Sequence, residues 1–207
     1  HQAAAQEMKL TAQQIKLFES WFLDPDRFCR DIWPGEKDQP EKWQTEACRL
    51  VSRSNKIAIR SGHGVGKTAW LARMIIWWGS TRHPWKVGCT APSSGQMFDA
   101  LWSELAKWHA KMPPAFAQLF EWKAERFEFR QDPAVSYAVA KTARRETPEA
   151  LAGLHSDYML FIIDESPGVD DIVFETARGV MSTKGAKTIM TGNPTRLSGY
   201  FYDAFHK

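Results

Sequence analysis

An α/β fold with a central, mostly parallel β-sheet flanked by helices is predicted by three features of the sequence. Short apolar runs alternate with helical patterns along most of the chain. The most apolar run, Tyr158 to Ile163, is uninterrupted, as a strand covered on both faces must be. Three of the four runs stop at glycine or proline, and the fourth stops at two acids.

Taken in order, residues 11 to 23 read as a helix, with Thr11 as its cap and Ile15, Phe18 and Phe22 at helical spacing. Pro25, Pro34, Gly35 and Pro40 mark the next stretch as loop. A second helix is predicted from about Pro40 to Ser52, followed by a short strand at Lys56 to Ile59. Glycines then lead into a helix over Lys67 to Gly79 that is apolar on most sides. Lys86 to Thr90 reads as a buried strand and Ala91 to Ser94 as the turn after it. Met97, Leu101, Leu105, Trp108 and Met112 form one face of an amphipathic helix. Alternation in Arg126 to Arg130, a turn at Gln131 to Pro133 and a return through Val135 to Val139 predict a β-hairpin. Lys187 to Thr191 is the last strand, closed by Gly192-Asn193-Pro194.

The 207 residues suit one large domain, which buries about 70% of its unfolded surface. Ten tryptophans suggest a core filled by large rings. The net charge of +3 neither demands nor excludes a nucleic-acid partner, because that inference needs clustering of charge. Cys29, Cys48 and Cys89 are scattered and odd in number, so they read as free thiols and not as a disulfide framework. No Cys/His cluster has metal-ligand spacing, and the longest apolar run, Met74 to Trp78, is far too short to cross a bilayer. No signal-peptide pattern opens the chain, and the start His1-Gln2 suggests a piece of a longer protein.

Two motifs carry chemistry. Ser61-Gly62-His63-Gly64-Val65-Gly66-Lys67-Thr68 fits GxxxxGK[ST] except that serine holds the first position. Such a loop cradles phosphates with backbone N–H groups, so glycine is needed wherever a Cβ would block the approach. The phosphates then lie at a helix N-terminus, where unpaired N–H groups and the helix dipole favour anions. Lys67 is expected to reach the β- and γ-phosphates of ATP, and the Thr68 hydroxyl to bind Mg2+. The second motif is Asp164-Glu165 at the end of the Tyr158 to Ile163 strand. A carboxylate there emerges at the C-terminal edge of the sheet, where open α/β folds bind ligands. Asp164 is expected to hold the Mg2+, and Glu165 to act as the general base on water.

With both motifs in place the chain, from about residue 20 to its end, resembles the ATPase domain of phage and prophage terminase large subunits, the motors that package DNA. The resemblance rests on Trp43-Gln44, RSGHGVGKT, TAPSSGQ, LAGLHSDYMLFIIDES and TGNPTRLSGYFYDAF. It implies a P-loop NTPase fold of the ASCE, RecA-like kind, with residues 1–40 a helical segment of the ATPase domain and 41–207 its body. It implies that Trp43-Gln44 recognises adenine, although alone the pair reads more readily as a packed ring beside a solvated amide, because tryptophan is usually core. It also implies that Thr191-Gly192-Asn193-Pro194 couples nucleotide state to motion, with Asn193 near the γ-phosphate, where the plain reading is an Asn-Pro turn.

The chain departs from the family in one place: many terminases carry an arginine inside the phosphate loop, where His63 stands here. Arg60 just outside the loop, and Arg144 and Arg145 reaching a neighbouring subunit, are the candidates for a charge-stabilising arginine finger. The resemblance further implies double-stranded DNA, a terminase small subunit and a capsid portal as partners, a homo-oligomeric ring, no membrane, and the host cytoplasm as location. A nuclease domain follows the ATPase in the family; none is expected within this chain, so no DNA cleavage is expected from it. Two other functions fit parts of the pattern. TAPSSGQ also resembles the nucleic-acid-contacting segment of helicases, and a nucleotide-switched interaction module would keep the loop with little turnover.

Overall fold

The computed structural model describes residues 11–62, 64–142, 151, 153–180 and 183–206. Helix α1 (Ala12–Leu23) begins where Thr11 predicts, with the Thr11 hydroxyl accepting from the Gln14 N–H at 3.2 Å. Its buried residue is Trp21, while Ile15 is exposed. The expected loop after it is instead helix α2 (Pro25–Ile32). Asp24 caps that helix, its carboxylate accepting from the Arg27 N–H at 3.1 Å. Pro25 takes the first helical position, where its missing N–H costs nothing.

Helix α3 (Lys42–Arg53) leads into strand β1 (Lys56–Arg60), the phosphate loop and helix α4 (Lys67–Thr81). Strand β2 (Trp85–Thr90) is followed by a π-helical stretch, Gly95–Trp102, that runs into helix α5 (Ser103–Ala110). Met97, Leu101, Leu105, Trp108 and Met112 are all buried along this segment. A short helix α6 (Pro114–Ala117) and strand β3 (Phe120–Trp122), neither expected from the sequence, precede β4 (Arg126–Phe129) and β5 (Tyr137–Ala140). The last elements are β6 (Tyr158–Ile163), α7 (Asp171–Val180), β7 (Lys187–Gly192) and α8 (Tyr200–His206).

The seven strands form one sheet in the order β1-β7-β6-β2-β5-β4-β3. The first five are parallel neighbours, and only β4 and β3 run antiparallel to their partners. Thus the predicted hairpin exists, and its return strand joins the main sheet beside β2.

Alternate residues of the central strands enter different cores. Ile57, Ile189, Leu160, Ile162 and Val87 face the large core that contains α4, α5 and the N-terminal helices. Ile163 and Met190 face a smaller core with Val173, Phe174 and Phe201 of α7 and α8. Cover on both faces explains the uninterrupted apolar run of β6. Trp33, Trp70, Trp77, Trp78, Trp85 and Trp102 are fully buried, as the tryptophan count suggests. Truncating one of them to alanine would cost about 3–5 kcal/mol. Helix α1 shares this core: the Trp77 indole donates to the Trp21 carbonyl at 2.6 Å. Among the described residues no helix is long and apolar enough to cross a membrane.

Candidate nucleotide site

Parallel pairing carries the C-terminal ends of β1, β7 and β6 to one edge of the sheet, and the sequence motifs meet there. The loop leaves β1 after Arg60, and the Ser61 N–H donates to the Gly192 carbonyl at 3.3 Å, tying the loop to the end of β7. Gly64 and Gly66 have φ of 74° and 77°, a left-handed conformation that glycine adopts without cost. A Cβ added at Gly62 or Gly64 would meet nothing within 4 Å, so the loop presents open backbone on that side. Gly66 is the N-cap of α4, and its carbonyl accepts that helix's first hydrogen bond from the Trp70 N–H at 3.0 Å.

Lys67 is buried, and its ammonium group donates to the Gly62 carbonyl at 2.7 Å, the Ser61 carbonyl at 3.4 Å and Asn193 Oδ1 at 3.3 Å. The last contact spans 126 residues of sequence and brings the residue that follows β7 onto the lysine of the loop. Asp164, 2% exposed, accepts three hydrogen bonds: Thr191 Oγ1 at 2.7 Å and the Glu165 N–H at 3.0 Å on Oδ1, and Thr68 Oγ1 at 3.2 Å on Oδ2. Its own N–H donates to the Thr90 carbonyl of β2 at 3.0 Å. The carboxylate is therefore fixed from β7, from α4 and from its own backbone.

Glu165 is half-buried at φ 48°, ψ 46°, a conformation uncommon for a residue with a Cβ. Such strain, on the order of 1–3 kcal/mol, persists only where the surroundings impose it. Here the imposing elements are the 3-10 turn Ser166–Gly168, and the Ser166 hydroxyl donating to the Ile163 carbonyl at 2.9 Å.

The other predicted residues sit around this centre. Trp43 is half-buried, its ring tilted against Trp70 at 6.1 Å between centroids and its indole N–H donating to Glu41. Gln44 is buried behind the loop, beside Gly66. Val65 is half-buried within the loop. Arg60 is exposed at the rim, its guanidinium 4.9 Å from the centroid of the Phe205 ring on α8. His63, Arg144 and Arg145 lie outside the described residues. Two contributors escaped the sequence reading. Thr191 was legible only as part of a motif, and Arg73 only as the one charge after Lys67 in an otherwise apolar helix; that charge was the usable signal.

The donor set suits a hard divalent cation. A carboxylate and a hydroxyl 3.2 Å apart, beside an open phosphate cradle, are the protein oxygens that Mg2+ requires when phosphates supply the rest. Among the described residues there is no grouping of three or more His, Cys, Asp or Glu side chains able to hold a metal by themselves.

Comparison with known proteins gives the same kind of relative by sequence and by fold. No family profile matches the chain. A probable terminase large subunit of Enterobacteria phage P7 is 30% identical over 153 residues, covering 72% of this chain and 31% of that protein. The chain thus spans about a third of the length of this curated relative. Among solved structures, the ATPase domain of the Thermus phage P74-26 large terminase superposes with a TM-score of 0.61 at 17% identity, covering 84% of this chain and 75% of that one. The HK97 bacteriophage large terminase gives a TM-score of 0.62 at 17% identity, covering 84% and 37%. A thermophilic bacteriophage large terminase in complex with ADP gives 0.55 at 17% identity, covering 89% and 39%. At these identities the structural likeness shows the fold, and the fold is that of terminase ATPase domains.

Proposed function

Because the chain is related by sequence and fold to phage terminase large subunits, we propose that it hydrolyses ATP to ADP and phosphate, and that hydrolysis drives double-stranded DNA into a capsid. The observation that carries this reading is the convergence of two pairs at one sheet edge, Lys67 with Asn193 at 3.3 Å and Thr68 with Asp164 at 3.2 Å. A relative solved with ADP supports nucleotide as the ligand.

In this mechanism the open backbone at Gly62 and Gly64 receives the phosphates. The Lys67 ammonium exchanges its carbonyl partners for phosphate oxygens while Asn193 follows it. Thr68 and Asp164 would hold Mg2+, which when bound neutralises charge on the β- and γ-phosphate oxygens. Glu165 takes a proton from water as the water oxygen bonds to the γ-phosphorus. The bond from that phosphorus to the β–γ bridging oxygen breaks, leaving ADP and phosphate. Asn193, shared between the lysine and the end of β7, registers the loss of the γ-phosphate.

The finger is assigned to a neighbouring copy in a ring, through Arg144 or Arg145, with Arg60 as the candidate within the same chain. The motor would work in the bacterial host cytoplasm with a small subunit and a portal as partners. The test is ATPase rate against protein concentration, with and without linear duplex DNA. Specific activity should climb with concentration, since such an arginine is worth about 10³-fold or more. Constant specific activity would assign the finger to Arg60, and no hydrolysis under any of these conditions would refute the ATPase reading.

A further inference from the structure

We propose that Thr191 makes Asp164 a one-oxygen ligand, and that this selects the small Mg2+ over the larger Ca2+ beside the phosphate loop. The proposal rests on the phosphate loop being the nucleotide site. It starts from the register of the sheet. Parallel pairing sets Ile163 of β6 against Met190 of β7, so the next residues, Asp164 and Thr191, reach the sheet edge side by side. Side chains alternate along β7: Met190 enters the core of α7 and α8, while Ile189 enters the core that contains α4. Thr191, two residues after Ile189, shares the face that carries α4 and Thr68. It is fully buried, and its hydroxyl donates to Asp164 Oδ1 at 2.7 Å.

A carboxylate offers about four acceptor positions, two on each oxygen. On Oδ1 both are taken, by the Thr191 hydroxyl at 2.7 Å and the Glu165 N–H at 3.0 Å. On Oδ2 one is taken, by the Thr68 hydroxyl at 3.2 Å, and one is left. Neither donor on Oδ1 is free to leave. The Glu165 N–H belongs to the backbone of the turn. Thr191 and Asp164 are both buried, so parting them would strand a hydroxyl and a charged oxygen away from water. Threonine is also stiff about χ1, which holds its hydroxyl in place. Oδ2 alone is left to meet a cation. Ca2+ is served by about six to eight oxygens and often takes both oxygens of one carboxylate. Mg2+ demands a near-octahedral shell, which single oxygens from separate groups can fill. Thr191 is thus a positioning residue that acts through Asp164.

The test reads cation preference through nucleotide binding, with no turnover involved. Dissociation constants for ADP are measured in EDTA, in Mg2+ and in Ca2+ for the unaltered chain, Thr191→Val and Thr191→Ser. The unaltered chain should bind ADP about tenfold more tightly in Mg2+ than in Ca2+. Thr191→Val keeps the shape and removes the donor. It should bring that ratio close to one, while ADP affinity in EDTA stays within about threefold. Thr191→Ser returns a donor and should recover most of the ratio. An unchanged ratio in Thr191→Val would overturn the proposal, as would a serine variant no better than the valine one. A loss of equal size in EDTA would overturn it too, since a merely structural role predicts that result. Failure of the unaltered chain to bind ADP in all three media would instead sink the nucleotide-site reading. Cooperative urea unfolding checks each variant's fold, and Thr191→Ala replaces the valine variant if that one does not fold. If neither folds, the Mg2+-to-Ca2+ ratio of the unaltered chain decides the matter: above about threefold supports a one-oxygen ligand, and below it overturns the proposal.

Discussion

Adding a single methyl group at Gly192 should uncouple nucleotide binding from hydrolysis. Gly192 ends β7, and a Cβ there would lie 2.3 Å from Pro167 Cδ, 3.0 Å from Pro167 Cγ and 3.3 Å from the Ser166 nitrogen. Carbon atoms rest at about 3.5–4.0 Å, so Gly192→Ala must push the Ser166–Gly168 turn away by roughly 1 Å or more. Its φ lies outside the left-handed region, so the effect is one of space alone. Pro167 follows Glu165 by two residues, and the turn it sits in holds Glu165 at φ 48°. The displacement therefore reaches the proposed base. Overpacking of this kind costs about 1–3 kcal/mol, and a 1 Å misplacement of a reacting group costs about 10²-fold in rate. The expected result is kcat lowered about 100-fold and nucleotide affinity changed by less than about tenfold, with unfolding only a few degrees earlier. Pro167→Ala removes the two ring atoms that collide, so the double variant should recover most of the lost rate. A Gly192→Ala enzyme with normal kcat, or a double variant no better than the single one, would refute the reasoning.

Two further predictions follow from the site and the core. Glu165→Gln should lower turnover by about 10²- to 10⁴-fold while ATP still binds within a few-fold, as read by single-turnover hydrolysis beside equilibrium binding; unchanged turnover removes Glu165 as the base. Burial pushes the Cys48 thiol up to about 12, against a partial offset from the Trp70 indole N–H donating to its sulfur at 3.3 Å. Burial raises Cys29 and Cys89 as well. A thiol held protonated in the fold contributes its full stability below the unfolded value near 9. That contribution is lost as pH rises toward the folded value, at about 1.4 kcal/mol per pH unit for each thiol. Urea unfolding of the unaltered chain should weaken more steeply between pH 9 and 11 than that of Cys48→Ala; parallel curves would show that Cys48 does not ionise on unfolding.

Legibility in the sequence followed the range of the interaction. Thr11 and its helix were readable because a capping contact closes within three residues. Strands β2, β6 and β7 were readable because a strand buried on both faces carries its signal in its own composition, and the edge strand β1 because its short apolar run stops at the glycines of the loop. Helix α2 was missed because Pro25 is a breaker inside a helix and a starter at its first position, and only Asp24 before it separates the two cases. Strand β3 is three residues long and takes its identity from pairing with β4. In the site, the phosphate loop and the carboxylates were legible as motifs. The partners of Gln44 were not, since Arg73 lies 29 residues on and meets it only after α3 has packed against α4.

The sheet order explains how one strand can serve both halves of the site. β7 is the last strand in sequence, yet it lies between β1 and β6, in register with both. Its end therefore emerges between the phosphate loop that follows β1 and the carboxylates that follow β6. Successive residues there divide the work. Thr191, fully buried, holds Asp164; the Gly192 carbonyl holds the start of the loop; Asn193 holds Lys67. If Lys67 moves toward a γ-phosphate, its contact with Asn193 is strained or carried along, while Thr191 keeps the strand fixed to the Asp164 carboxylate. The same strand end then leads within a few residues to α8, whose Phe205 meets Arg60 at the far rim of the loop. A change at the phosphate thus has a route along the chain from Lys67 through Asn193 and the exposed residues 194–198 to α8, and back to β1 through Arg60. Such a route transmits motion only if the strand end has two stable positions. There is no room at Gly192, where even a methyl group would collide with the turn that follows Glu165, so β7 cannot move toward that turn without displacing it.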